Sequence, residues 1–263
     1  MRVRCLAGLI VLALVARGAE AQKTADQARL LFTVSAGYIG GGALWMVPNQ
    51  VVSDNFGQTD TFALTRRVRP SLGVGFSGTY FPGDHVGYTG ELFLMGLGTE
   101  DRCNQRFSSG SARNTTVCNS LDGTERSATA VSASASVIYR VASHQAISPY
   151  GRFNLGVTIS QQSKIRLIGN YTDVNGTVDK IIYSDPNPTQ LTGYAAAGIG
   201  ITAAVARGYQ LRLEARDNYI GLQRVKQAGA EGSLPPHGIR GKHIFSLLMG
   251  FDVVLERRRG KRY

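Results

Sequence analysis

Residues 131–159 read VSASASVIYRVASHQAISPYGRFNLGVTI. Two runs of strict alternation flank a short polar break. In the first, Val131, Ala133, Ala135, Val137, Tyr139 and Val141 interleave with Ser132, Ser134, Ser136, Ile138 and Arg140. In the second, Phe153, Leu155, Val157 and Ile159 interleave with Arg152, Asn154, Gly156, Thr158 and Ser160. Successive side chains of a strand point to opposite faces, so each run predicts a strand with one apolar and one polar face. The break at 143–148 predicts a tight turn between them.

The same period recurs along the chain and predicts eight strand regions, at 30–39, 60–81, 86–98, 127–142, 149–161, 190–205, 209–220 and 243–255. The second is long for a single strand, and Pro70 within it marks a bulge or an edge. The connections alternate strictly in length. Short turns at 82–85, 143–148 and 206–208 separate long polar connections at 40–59, 99–126, 162–189 and 221–242. Four long loops therefore gather at one end and three short turns at the other. The expected architecture is an all-β, eight-stranded antiparallel up-and-down barrel over residues 22–255.

The chain has 263 residues and 32 Gly, about 12% against a usual ~7%. Residues 1–21 have the grammar of a secretory signal: Arg2 and Arg4, the uncharged stretch Cys5–Ala16, and Ala19-Glu20-Ala21 before Gln22. No later uncharged apolar run reaches the ~18 residues of a membrane helix. Setting residues 1–21 aside lowers the formal net charge from +11 to +9, and the basic tail 256–263 holds +4 of that. Export leaves Cys103 and Cys118 as an even pair outside the reducing cytoplasm, which predicts a disulfide.

Alternation alone does not say which face of a barrel looks inward; the polar face decides. A soluble surface is rich in Lys and Glu, yet the eight strand regions contain no Lys. Their polar faces carry Gly, Ser, Thr and Ala, which suit the crowded lumen of a small barrel. Tyr80, Tyr88, Tyr139, Tyr150, Tyr209 and Phe251 near the short turns are expected to form an interfacial girdle. The apolar face then looks outward, into a membrane.

With signal, eight alternating strands, four long loops and three short turns, the chain resembles the small outer-membrane β-barrels of the outer-membrane protein A and X type. The resemblance covers residues 30–255 in architecture and rests on pattern. It implies residence in a bacterial outer membrane, with short turns in the periplasm and long loops outside. Its members serve as structural, adhesion or narrow-channel proteins, and a few are lipid-modifying enzymes. Such barrels commonly end on an aromatic residue; here Phe251 or Tyr263 stands for it.

The lumen face should carry Arg67, Arg69, Arg140, Arg152, Arg212 and Arg216 with Glu91, Glu214 and Asp252. Buried charges require partners, so these nine are expected to form one network that fills the barrel. An anion-selective pore is the competing reading. Gly73-Val74-Gly75-Phe76-Ser77-Gly78 matches a dinucleotide-binding pattern but runs into a turn rather than a helix, so it reads as a barrel strand. His85, His144, His237 and His243 have no metal-ligand spacing, and His243 and Ser246 differ in strand parity. Arg66 is expected at the loop end, in solvent or against lipid head groups, and Trp45 in an apolar cluster packing on the barrel rim. The expectation is a non-enzymatic structural or surface-interaction barrel, with a narrow pore second and a lipid-modifying enzyme a distant third. It needs no cofactor and no nucleic acid. Its partners would be outer-membrane lipids, lipopolysaccharide included, and an extracellular partner met by the long loops, with the chain a monomer.

Overall fold

The computed structural model describes residues 27–143, 145–160, 165–174, 176–185 and 190–258. The signal segment 1–21, His144 and residues 259–263 of the basic tail lie outside them. In chain order the described residues form β1 (Gln27–Ile39), β2 (Gly42–Ser53), β3 (Thr59–Val68), β4 (Ser71–Tyr80), β5 (Val86–Gly96), β6 (Thr99–Phe107) and helix α1 (Ala112–Leu121). There follow β7 (Thr124–Arg126), β8 (Thr129–Arg140), β9 (Ile147–Ser160), β10 (Leu167–Asp173), β11 (Gly176–Tyr183), β12 (Gln190–Ala206), β13 (Tyr209–Val225) and β14 (His237–Arg258).

Eight of these close into a barrel in the order β1-β14-β13-β12-β9-β8-β5-β4, every neighbouring pair antiparallel and β4 pairing back onto β1. Closure leaves no free edge, so every wall strand is hydrogen-bonded on both sides. The outward residues are apolar and exposed: Phe32, Val34, Phe76, Leu92, Val137, Phe153, Leu213 and Phe251 among them. An apolar exterior on a closed barrel is the form in which strands cross a membrane. Of the expected girdle, Tyr80, Tyr88, Tyr139, Tyr209 and Phe251 are outside, but Tyr150 is buried in the lumen. It shares the strand parity of Arg152, which already pointed it inward.

Region 60–81 is two strands. On β3 the even-numbered Phe62, Leu64, Arg66 and Val68 are buried; on β4 the odd-numbered Gly73, Gly75, Ser77 and Thr79 are. The alternation changes phase at Arg69-Pro70, both exposed, because Pro has no N–H to carry the ladder through. Counting across that break assigned Arg67 and Arg69 to the lumen. Both instead point outward, above the barrel, and Arg69 pairs with the exposed Glu125.

The expected long loops are largely folded. A second sheet runs β2-β3-β6-β7, the same order as β1-β4-β5-β8. Each of its strands prolongs a barrel strand after a two-residue joint, so half of the barrel wall continues upward as a four-stranded sheet. β10 and β11 form a hairpin, β13 and β14 pair up to Val225–His237, and α1 packs on β10 and β6. Trp45, Val47, Phe62, Leu64, Val117, Leu121, Leu167, Ile182 and Tyr183 form the core of this head. Trp45 thus sits inside a head core of its own rather than on the barrel rim.

Candidate functional site

Two places gather polar groups that the fold had to bury: the lumen and the head. In the lumen, the period of β13 sets Arg212, Glu214 and Arg216 in a vertical row. Arg216 reaches across the barrel to Glu91 on β5, with Nη1 and Nη2 at 2.5 and 3.2 Å from its two oxygens, and gives Nε to Glu214 at 2.6 Å. Arg152 on β9 pairs with the same Glu91, lies 3.9 Å from Glu214, and donates Nε to Asn154 at 2.8 Å and Ser136 at 3.1 Å. Tyr150 donates its hydroxyl to Glu214 at 2.6 Å. Gly200 makes room for that ring: a Cβ there would come within 2.6 Å of the Tyr150 hydroxyl. Arg212 pairs with Asp252 at 2.9 Å and lies over the Tyr150 ring.

Apolar layers close the lumen on both sides of these charges. Toward the short turns, Leu31, Phe81 and Ile138 pack together, and the Arg140 guanidinium lies 3.5 Å over the Phe81 ring. Toward the head, Ile39, Phe93, Met95, Ile220 and Leu248 form the next layer, with Arg216 over Phe93. Glu91, Arg152, Glu214 and Arg216 therefore form one cluster, Arg212 and Asp252 a neighbouring pair, and Arg140 a cation on an aromatic floor. Arg67 and Arg69 belong to none of them.

In the head, Arg66 is buried and holds Asp101 with two hydrogen bonds, at 2.5 and 2.8 Å, beneath the Trp45 ring. Arg126 stands 3.6 Å from the same carboxylate. Burial, and then the charge of Arg66, hold the Arg126 guanidinium below its ordinary pKa. Burial pushes the Tyr183 hydroxyl up to about 12, and this hydroxyl donates to Gln50. Arg66 and Asp101 were not expected inside. The available clue was that Arg66 shares its strand face with Leu64 and Val68; its partner, 35 residues away, had none.

Cys103 on β6 and Cys118 on α1 are bonded, with Cα atoms 5.3 Å apart. α1 itself starts on Ser111, whose hydroxyl accepts from Asn114 N and donates to Asp54. A loop of this length is expected to add about 3 kcal/mol in the chain-entropy model. Replacing both cysteines by Ser should therefore loosen the head and leave the barrel folded. Alkylation followed by mass spectrometry of the exported protein should find no free thiol at either position.

At the head's tip Phe56 and Val174 are exposed, and Arg113 stacks on Phe56 and Tyr171 at 4.6 and 5.5 Å while pairing with Asp173. No group of three or more His, Cys, Asp or Glu among the described residues could hold a metal ion. His243 faces outward and contacts Asp217 at 2.7 Å.

Barrel, apolar exterior and filled interior are together those of a membrane-spanning β-barrel. No protein-family model matches the chain, and no curated protein matches it in sequence. Its strand arrangement is similar to that of solved membrane barrels. Neisserial surface protein A is 12% identical, with 88% of this chain and 100% of that one covered and a TM-score of 0.40. The outer-membrane protein OprG of Pseudomonas aeruginosa is 13% identical, covering 87% and 96%, with a TM-score of 0.43. The outer-membrane protease OmpT of Escherichia coli is 7% identical, covering 89% and 100%, with a TM-score of 0.44.

Proposed function

We propose that this chain is a non-enzymatic outer-membrane barrel that holds a rigid head outside the cell for contact with an extracellular partner. The observation that carries the reading is the head: it has an apolar core, a disulfide and a buried ion pair of its own, whereas connections serving only to close a barrel need none of these. The exposed Phe56, braced by Arg113, and the exposed Val174, next to the Asp173 that Arg113 pairs with, offer an apolar tip suited to such a contact. The packed layers inside the barrel weigh against conduction.

The test combines two measurements. Purified protein in planar bilayers is expected to show no steady openings. Cells displaying the chain are expected to adhere to glycan- or protein-coated surfaces, and Phe56→Asp with Val174→Asp to abolish adherence while the barrel stays folded. Steady openings from the parent, or adherence unchanged by the two substitutions, would overturn the reading.

A further inference from the structure

Sequence parity runs unbroken from the membrane wall into the head along β5 and β6. The outward series Leu92 and Leu94 continues through Gly96 and Gly98 to Glu100 and Arg102. Alongside, β3 pairs with β6 so that Arg67 stands beside Glu100 and Thr65 beside Arg102, while Arg69 N bonds to Gly98 O. Arg69, Arg67 and Arg102 therefore climb the outer face of the sheet in steps of two residues, roughly 7 Å each. Below them the wall is apolar and exposed at Tyr38, Leu72, Leu94 and Val131. From Tyr80 to Leu72 a strand tilted at about 40° rises roughly 20 Å, close to the ~25 Å apolar band of such barrels. The ladder thus starts where the hydrocarbon ends, at the depth of lipid head groups.

The residue type is informative. All the outward cations of this face are Arg, including Arg106 higher on β6, and none is Lys. A guanidinium presents a planar fork that binds phosphate in bidentate fashion. Arg69 pairs with Glu125 and Arg102 with Glu100, both at the surface, where such pairs are weak and exchangeable. Arg67 has no ion-pair partner among the described residues and lies between them. Two acids among four Arg leave the face positive.

We infer that Arg67, Arg69 and Arg102 form a binding site for the phosphate groups of a phosphorylated glycolipid in the outer leaflet. This rests on the head lying outside the cell, as in the function proposed above. The lipid's acyl chains would lie on the apolar wall directly beneath, and its phosphates would meet the ladder.

The experiment uses the full chain in phosphatidylcholine nanodiscs containing either a bis-phosphorylated lipid A or the same glycolipid with its phosphates removed. Native mass spectrometry reads the lipid retained. The parent is expected to retain the phosphorylated form about tenfold better, and Arg67→Gln/Arg69→Gln/Arg102→Gln to lose that preference. Arg67→Gln alone, at an exposed position with no ion pair among the described residues, should lose part of it, which covers misfolding of the triple variant. Glu125→Gln, which frees Arg69, should raise retention. Equal retention of the two glycolipids by the parent, or an undiminished preference in the Arg variants, would overturn the site. Labelling of Val174→Cys by an impermeant reagent on intact cells checks orientation separately: no label refutes the outside placement, whereas label without phosphate preference refutes this inference alone.

Discussion

Replacing Glu91 by Gln is expected to destabilise the barrel by about 3–5 kcal/mol, the usual consequence of removing one member of a buried ion pair. Glu91 is the carboxylate shared by Arg216, which reaches it across the lumen from β13, and Arg152 on β9, midway between them around the wall. Gln keeps the shape and removes the charge. Two guanidiniums are then left with Glu214, which is already hydrogen-bonded to Tyr150 and lies 3.9 Å from Arg152. The control is Glu125→Gln, whose exposed pairing with Arg69 is worth about 0–1 kcal/mol. Urea unfolding in lipid vesicles should separate the two clearly. Conductance of Glu91→Gln should stay at baseline, because the Leu31–Phe81–Ile138 layer and the Ile39–Phe93–Met95 layer remain on either side. Equal stability of the two variants would show that the lumen is not held by its charges. New steady openings would show that the charges alone had sealed it.

Asp101→Asn should act on the head with a similar magnitude, about 3–5 kcal/mol, and spare the barrel. Asp101 is fully buried and neutralises Arg66 at hydrogen-bond distance and Arg126 at 3.6 Å. Without it, two guanidiniums face each other in a small apolar core. The readout is unusually clean, because Trp45 is the chain's one Trp and sits in that core, against Arg66. Its fluorescence should shift to that of exposed Trp at lower denaturant in the variant. The heat-dependent gel mobility that reports barrel closure should not change. A Trp45 transition that does not move would refute the role of Asp101. Simultaneous loss of the barrel would show that head and barrel fold as one unit.

Alternation makes the membrane barrel legible in the sequence itself. The two-residue period of 131–141 and 153–159 is imposed by a wall with lipid on one side and a packed lumen on the other, and the absence of Lys from the strand regions told which side was which. The same parity placed Glu91, Arg140, Arg152, Arg212, Glu214, Arg216 and Asp252 on the lumen face, since a residue's face depends only on its count along an unbroken strand. Parity does not carry across a break in the strand. Pro70 reset the phase, so Arg67 and Arg69 went to the outside of the head, and a long region divided into β3 and β4. What only the tertiary structure decided is which charges meet and what the long connections become. Arg66 with Asp101, or Arg216 with Glu91, are joined by strand order, tilt and register across the fold, and no local pattern carries that information. The head was illegible for the same reason: its core is assembled from β2, α1, β10 and β11, each contributing a few apolar residues that read singly as loop, and from β3, which read as part of a barrel strand, and only their convergence above the barrel makes burial outweigh the cost of ordering them.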